Sequence, residues 1–397
     1  MAKNKHYLYL LSLGHLMTDV NQGLLPIFLP IYKEYLGLSY AAASLIALIS
    51  NVSSSVIQPL FGFWSDRKAS RWLIPLGCLL ATLGMALAGW APNYLAFAAA
   101  VFLSGLGVAS YHPEASKAAH HLSSQRQASS MAIFSVGGNL GFGLGPLVAG
   151  LLLAHGGLKS TPLLLLPAGL LSLLLWRLLP EIDRTETGEL TPPTKASLSN
   201  PRTAAGGEDN LKALMLLLVV VIIRSWLHTG ITYYIPFYYI SYLQGDQAFT
   251  SNLLATFLLA GAAGTLVGGR IADRWGCKNM ILASMAVMVP IVFLFTHARG
   301  WWLILLVALG GFALISSFAP TVVLAQNLMP SHIGMASGLM MGFAIGTGGL
   351  GLFFLGLIAD AVGVPTTISL MSLIPAAGFT LTLFLPGTTQ ERASRAL

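Results

Sequence analysis

The chain has 397 residues, of which 55% are hydrophobic and only 9% are charged. A water-soluble domain carries about 25% charged residues, so this composition excludes an ordinary soluble fold and indicates a protein of the lipid bilayer. The net charge of +7 would suit nucleic-acid binding. The positions of the basic residues along the chain indicate instead that they set the orientation of the protein in the membrane. The two cysteines, Cys78 and Cys277, are too few for a disulfide framework, and we predict no metal or cofactor.

Apolar runs recur along the whole chain. A membrane-spanning helix needs about 20 mostly apolar residues. The continuous form of these runs excludes a membrane β-barrel, whose strands alternate. The first run is predicted to be an uncleaved membrane helix, because no small-x-small cleavage site follows it. We predict twelve membrane helices, at about 6–32, 40–63, 71–91, 94–117, 128–154, 161–180, 211–240, 249–269, 279–297, 301–327, 333–360 and 365–386.

A polar segment between the sixth and seventh runs divides the chain. Residues 181–210 are rich in Thr, Pro, Gly and charge, as linkers are. The predicted domains are an N-terminal six-helix bundle at 1–180, this linker, and a C-terminal six-helix bundle at 211–397. Sixteen of the 21 Lys and Arg residues fall on the linker side of the predicted membrane, so both termini and the linker are predicted to be cytoplasmic.

The loop after the second run, GFWSDRKASR, returns after the eighth as GRIADRWGCK. The same offset, within one residue, pairs Gly23 with Gly230 and Pro113 with Pro320. The chain is therefore predicted to be a duplicated six-helix unit, with both copies in the same orientation. The loop residues that match at an offset of 207 are Gly62 with Gly269, Asp66 with Asp273, and Arg67 with Arg274.

The duplicated halves, the central linker and the loop pattern G-x-x-x-D-R-x-x-x-R resemble the major facilitator superfamily. The resemblance implies an all-α membrane transporter of two pseudo-symmetric six-helix bundles, in which these loops latch the cytoplasmic side. An enzyme is not predicted, because the sequence lacks H-E-x-x-H, G-x-S-x-G and paired cysteines. The predicted cytoplasmic gate consists of Gly62, Asp66, Arg67, Arg71, Gly269, Asp273 and Arg274.

Two further stretches narrow the resemblance. GNLGFGLGPLVAG in the fifth run resembles the antiporter motif of this superfamily, carried here by Gly141, Gly145, Pro146 and Gly150, although Ala149 replaces one glycine of its usual pair. GVASYHPEASK and GHLMTDVNQGLLP resemble the fosmidomycin resistance group, bacterial exporters of a phosphonate antibiotic. The motif favours efflux, and uptake stays open because glycine-rich membrane helices also serve packing.

Asp19 and Glu114 are the acidic residues inside the predicted membrane. A carboxylate there costs at least about 2.5 kcal/mol, so it is retained where it pairs, meets water or exchanges a proton. His15 lies four residues before Asp19, on the same helix face. Arg224 and His228 repeat this spacing in the second half, and the two clusters are expected to face a central cavity. The predicted proton-coupling residues are Asp19, Glu114, His15 and His112.

An arginine inside a membrane needs a permanent partner or an anionic ligand, because it does not deprotonate. Alternatives stay open: the histidines are neutral core residues, or Glu114 and Lys117 form a gate ion pair. Pro113 is expected to bend or break its helix, and its twin Pro320 makes that bend part of the scaffold. The predicted substrate-binding residues are Arg224, His228, Lys117, Tyr111, Asn21, Gln22, Tyr233 and Trp226.

These features predict a multi-pass, proton-coupled antiporter of the bacterial inner membrane. It exports a small anionic or amphipathic drug, such as a fosmidomycin-like phosphonate, by alternating access. The alternatives are a proton-coupled uptake symporter for an organic anion and a broad-specificity multidrug exporter. The expected partners are the substrate, protons and membrane lipid, without nucleic acid or a partner subunit.

Overall fold

The computed structural model describes residues 2–67, 70–122, 127–186, 209–329, 336, 339–340 and 346–386. Every regular element in these ranges is helical, which confirms the predicted fold class. The chain divides into two compact units. One comprises Met1–Phe28 with Ile49–Arg202, and the other comprises Leu29–Leu48 with Thr203–Leu397.

The helices of the N-terminal half are long and several contain proline. An exposed helix interior would not tolerate proline, but neighbouring helices of a bundle compensate for the lost hydrogen bond. Short π and 3₁₀ segments follow α2 and α6, at Val52–Val56 and Gly157–Leu164. The helices are α1 (Ala2–Tyr35), α2 (Tyr40–Asn51), α3 (Gln58–Arg67), α4 (Leu73–Ala88), α5 (Tyr94–His121), α6 (Gln127–Gly156) and α7 (Leu165–Glu186).

The C-terminal half begins with α8, whose first turn is capped by the Asn210 side chain. A π segment, Phe237–Tyr242, continues α8. The helices are α8 (Leu211–Pro236), α9 (Gln247–Trp275), α10 (Cys277–Leu294), α11 (Trp301–Ser316), α12 (Phe318–Leu328), α13 (Gly348–Val362), α14 (Val364–Met371) and α15 (Leu373–Leu383).

Eight helical stretches of the described chain are long and apolar enough to cross a membrane. One of them, Ile133–Pro180, covers both the fifth and the sixth predicted spans. Two shorter apolar helices, Leu73–Ala88 and Gly348–Val362, match the third and eleventh. The eleventh predicted span, 333–360, lies partly outside the described residues, and the total of twelve stays a prediction.

Glycines let α1 and α6 pack backbone against backbone. A Cβ added at Gly145 would lie 2.6 Å from the carbonyl carbon of Gly23, and one added at Gly23 would lie 2.9 Å from the Gly145 Cα. The small residues of the fifth run therefore hold the two helices in direct contact. This contact fixes the polar side chains of α1 beside the first half of α6.

Pro113 does not break its helix. The α5 helix runs without interruption from Tyr94 to His121, with Pro113 inside it. Its repeat partner Pro320 lies just after a real interruption, where α11 ends at Ser316 and α12 begins at Phe318. The expectation of a break at Pro113 was therefore wrong, and the YHPEASK segment lies on one continuous helix.

Candidate functional site: a His–Asp–His cluster and a buried arginine

Three titratable side chains meet between α1 and α5. His15 Nε2 lies 3.3 Å from Asp19 Oδ2 on the same helix, and His112 Nε2 on α5 lies 3.1 Å from Asp19 Oδ1. The two imidazole rings are nearly perpendicular, with centroids 4.7 Å apart. The Asp19 residue is buried, with 9% of its surface exposed. The structure thus brings together three of the four predicted proton-coupling residues.

A backbone carbonyl determines the tautomer of His15. His15 Nδ1 lies 2.8 Å from the oxygen of Phe134 on α6, and a carbonyl oxygen only accepts hydrogen bonds. The proton of a neutral His15 therefore sits on Nδ1, and Nε2 presents a lone pair to the Asp19 carboxylate. A hydrogen bond between Nε2 and an ionised Asp19 therefore requires a second proton on the His15 ring.

The cluster requires a glycine at position 138 of α6, which packs against it. A Cβ added at Gly138 would overlap His15 Nε2 and would lie 2.8 Å from Asp19 Oδ2. The sequence analysis did not single out this glycine, although it stands three residues before the GNLGFGLGPLVAG motif glycine Gly141. The sequence did contain a signal for this role: Gly138 has the helical spacing of the other small residues of α6 that face α1.

Asn21 and Gln22 occupy different environments. The Gln22 amide nitrogen lies 3.3 Å from Asp19 Oδ1, so Gln22 belongs to the cluster. Asn21 is buried and donates to the Met17 carbonyl at 2.8 Å and to the Thr82 hydroxyl at 3.1 Å. The Asn21 side chain therefore joins α1 to α4.

Glu114 forms an ion pair with the basic loop after α3. Its Oε1 atom lies 3.5 Å from Nε of Arg71, and the Glu114 side chain is only 2% exposed. Glu114 is two residues from His112, about 200° around the helix, so it faces away from Asp19. Lys117 is half-buried one turn further along α5. The gate alternative named Lys117 as the partner of Glu114, whereas this ion pair joins Glu114 to Arg71, a residue of the predicted gate.

Tyr111 is fully buried, and its hydroxyl donates to the Leu11 carbonyl at 2.6 Å. It packs in the apolar core of its unit with Leu11, Ile74 and Leu175. In this conformation the Tyr111 side chain therefore joins α5 to α1, and its substrate contact stays a prediction.

Arg224 is the principal charged group inside the second unit. It is 3% exposed, and its guanidinium carbon lies 5.3 Å from the centroid of the Phe318 ring. Within the described residues, its Nε has no hydrogen-bond partner and no carboxylate forms an ion pair with it. His228, one turn along α8, stacks on Phe257 with centroids 5.8 Å apart. Among the described residues, this environment combines aromatic rings with a cation that has no carboxylate partner.

Trp226 does not share the helix face of Arg224. The two residues are about 200° apart around α8. Trp226 packs against Gly351 of α13, where a Cβ would overlap the indole, and its ring lies 5.8 Å from that of Phe354. Tyr233 is seven residues from Trp226, so it lies on that same face. The two aromatic residues are therefore directed away from the guanidinium.

The predicted gate is described only in part. The side chains of Asp66 and Arg67 lie outside the described residues. A Cβ added at Gly62 would lie 3.8 Å from Pro113 Cβ, and no described atom lies within 4 Å of one added at Gly269. Neither glycine lies at a close contact with another helix of the described chain. Asp273 and Arg274 are exposed at the end of α9.

The motif on α6 has a clear packing role. A Cβ at Gly141 would overlap the Leu16 carbonyl oxygen on α1, and Gly145 meets Gly23. Pro146 is buried within the helix, and Gly150 is half-buried. This packing is compatible with either direction of transport.

Comparisons with known proteins agree with this architecture. The family model of the Major Facilitator Superfamily matches residues 11–344 and 217–396. This chain belongs to the major facilitator superfamily. The family assignment makes it a multi-pass membrane transporter of small molecules, and it confirms the resemblance seen in the duplicated loops.

Two full-length relatives share about a third of the sequence. The fosmidomycin resistance protein of Escherichia coli K12 is 33% identical over 95% of this chain and 91% of that protein. An uncharacterized MFS-type transporter of Bacillus subtilis, YfnC, is 30% identical over 97% of this chain and 94% of that protein. Multidrug resistance protein MdtG of Yersinia enterocolitica is 27% identical over 74% of this chain and 72% of that protein.

Solved structures share the fold at low sequence identity. A bacterial homologue of the human lysosomal transporter Spinster, in an inward-facing and occupied conformation, has a TM-score of 0.76 at 13% identity and covers 96% of both chains. The nucleoside transporter NupG has a TM-score of 0.73 at 14% identity, covering 95% of this chain and 99% of that one. Both confirm the predicted major facilitator fold.

Proposed function

We propose that this transporter is a proton-coupled antiporter of the bacterial inner membrane that exports a small anionic drug of the phosphonate class. The observation that carries the proposal is the buried Arg224, which has no carboxylate partner among the described residues. A desolvated guanidinium favours an anion that accepts two parallel hydrogen bonds, as a phosphonate does. The 33% identity to the fosmidomycin resistance protein supports the same substrate class.

The proton is carried by the His15–Asp19–His112 cluster. A carboxylate that accepts from two imidazoles is stable when ionised, and a proton that moves from an imidazole to Asp19 changes the hydrogen bonds among the three groups. His15 and Asp19 are on α1 and His112 is on α5, so a change in protonation alters the contact between these helices. Substrate and proton then occupy the transporter in alternation, as antiport requires.

Glu114 has the gate role in this proposal, because its carboxylate is paired with Arg71 of the loop after α3. With Asp66, Arg67 and the second copy of the loop at Gly269, Asp273 and Arg274, it would hold the cytoplasmic side closed in one state. Its role as a second proton carrier stays a prediction.

Transport by purified protein tests the proposal. Proteoliposomes with an imposed pH gradient are expected to accumulate fosmidomycin against its concentration gradient, and the Asp19→Asn protein is expected to lose this accumulation. Lys159→Gln, a change of an exposed charge, is the matched control and retains it. Equal accumulation by native and Asp19→Asn proteins would refute the coupling assignment.

A broad-specificity exporter is the second candidate, favoured by the similarity to multidrug resistance protein MdtG. The two candidates differ in the charge of the compounds they export. If uncharged and cationic drugs compete with fosmidomycin as effectively as anionic ones, the broad-specificity candidate is favoured. Uptake of an organic anion by symport is distinguished by the direction of proton movement.

A further inference from the structure

We propose that His15, Asp19 and His112 form a binding site for a divalent transition-metal ion of the Zn²⁺ class. The sequence analysis predicted no metal site, because His112 is 93 residues from Asp19 and only the folded chain brings them together. The ligand atoms of the three residues all lie within 4.8 Å of one another. Two imidazoles and one carboxylate are a ligand set that Zn²⁺ binds readily, with the fourth position open.

The distances within the cluster match those between ligands of a tetrahedral ion. Zn²⁺ binds nitrogen and oxygen at about 2.0–2.2 Å, so neighbouring ligand atoms of a tetrahedral site lie about 3.3–3.5 Å apart. His15 Nε2 is 3.3 Å from one Asp19 oxygen, and His112 Nε2 is 3.1 Å from the other. The two histidines meet different oxygens of Asp19, so a shared ion requires side-chain movements within the 4.8 Å that separates the ligand atoms.

His15 already has the outer contact that metal-binding histidines need. A metal-bound imidazole donates its second N–H to a carbonyl or carboxylate, which orients the ring. His15 Nδ1 has such an acceptor in the Phe134 carbonyl at 2.8 Å, which directs the Nε2 lone pair at Asp19. Two atoms with lone pairs facing each other at 3.3 Å require a cation between them, and a metal ion meets that requirement as a proton does.

A glycine on α6 lies directly against these atoms. A methyl group at Gly138 would overlap His15 Nε2 and lie 2.8 Å from Asp19 Oδ2. The Gln22 amide is 3.3 Å from the other Asp19 oxygen, where its own oxygen can supply a further ligand after rotation. The site is thus bounded by ligands on α1 and α5, and Gly138 of α6 packs directly against it.

A metal ion at this position would join α1 to α5. Its effect on transport rests on the proposed function, because an ion that replaces the shared proton would stop proton-coupled transport. Metal binding itself does not depend on that function. A calorimetric measurement therefore tests the site, while inhibition of transport by Zn²⁺ tests its link to coupling.

The test uses full-length protein purified in detergent without a polyhistidine tag. Titration with Zn²⁺ is expected to give one ion per chain, and Co²⁺ is expected to give the visible absorption of a tetrahedral site. His15→Gln, Asp19→Asn and His112→Gln are each expected to weaken Zn²⁺ binding by about tenfold or more. Gly138→Ala is expected to weaken it comparably, by crowding the site rather than by removing a ligand.

The controls change histidine or cysteine elsewhere in the chain. His228→Gln changes a half-buried histidine of the second unit, His297→Gln changes an exposed histidine, and Cys277→Ser removes a half-buried thiol. All three are expected to leave Zn²⁺ affinity unchanged. Gel filtration and thermal unfolding in detergent select the variants that fold. Absence of Zn²⁺ binding by the native protein, or equal binding by folded His15→Gln and His112→Gln proteins, overturns the site.

Discussion

The carboxylate of Glu114 lies 3.5 Å from Nε of Arg71, which joins the YHPEASK segment of α5 to the basic loop that follows α3. Glu114 is nearly fully buried, whereas Arg71 is half-buried. A buried carboxylate that loses its cation retains the full cost of desolvation. The pair is therefore expected to stabilise the conformation in which these two elements meet.

Removing either member of this pair should destabilise the protein. Arg71→Gln leaves the Glu114 charge without this partner, and we expect a loss of about 1–3 kcal/mol in the free energy of unfolding. The double variant with Glu114→Gln should lose less than the sum of the single variants, because the buried charge is then absent. Thermal unfolding in detergent measures all three, with Lys159→Gln as the exposed control. Strictly additive losses would contradict the pairing.

Gly138→Ala should abolish coupled transport while leaving the fold intact. The added methyl group would displace His15 and Asp19, whose hydrogen bond it would overlap. Gly169→Ala on α7 is the matched control, because no described atom lies within 4 Å of a Cβ there and alanine favours a helix by about 1 kcal/mol. Drug accumulation in proteoliposomes compares the two variants. Full activity of Gly138→Ala would contradict the role of the cluster.

Some features of the fold and the candidate site could be predicted from the sequence, and others could not. The helices and the His15–Asp19 pair follow from local periodicity, because residues four apart on a helix share a face. The duplication follows from the loop that recurs at an offset of 207 residues. The contacts of His112, Arg71 and Gly138 depend on which helices pack together, and periodicity does not carry that information.

The break expected at Pro113 was wrong for a related reason. A bundle compensates for a missing backbone hydrogen bond, so helix α5 continues through this proline. The interruption occurs in the other repeat, before Pro320, where Ser317 separates α11 from α12. Trp226 and Arg224 were both predicted to bind substrate. They are close in the sequence but point to different sides of α8.

Arg224→Lys should weaken substrate binding although it keeps the charge. A lysine ammonium does not offer the two parallel donors of a guanidinium. The loss of one charge-assisted hydrogen bond, about 1.5–3 kcal/mol, corresponds to about a 10- to 100-fold lower affinity for a phosphonate. Binding of fosmidomycin by calorimetry measures this effect, with the exposed Arg299→Lys as the control. Equal affinities for native and Arg224→Lys proteins would remove Arg224 from the binding site.

Asp360 caps the start of α2, and its removal should loosen that turn. Its carboxylate oxygens accept from the backbone nitrogens of Tyr40 at 2.7 Å and Ala41 at 2.9 Å. Asp360→Ala is expected to cost about 1 kcal/mol and to speed amide hydrogen exchange at these two residues. Asp246→Ala removes the corresponding cap of α9 and should speed exchange only there. Unchanged exchange at Tyr40 in Asp360→Ala would contradict the cap.

The direction of proton movement during transport tests the central proposal most directly. In proteoliposomes without an imposed pH gradient, fosmidomycin added outside would enter down its own gradient through an antiporter, and protons would leave. A pH-sensitive dye in the lumen is therefore expected to report alkalinisation with the native protein and no change with Asp19→Asn. Acidification of the lumen would identify a symporter, and drug entry without any pH change would show that transport is uncoupled; either result contradicts the proposed antiport.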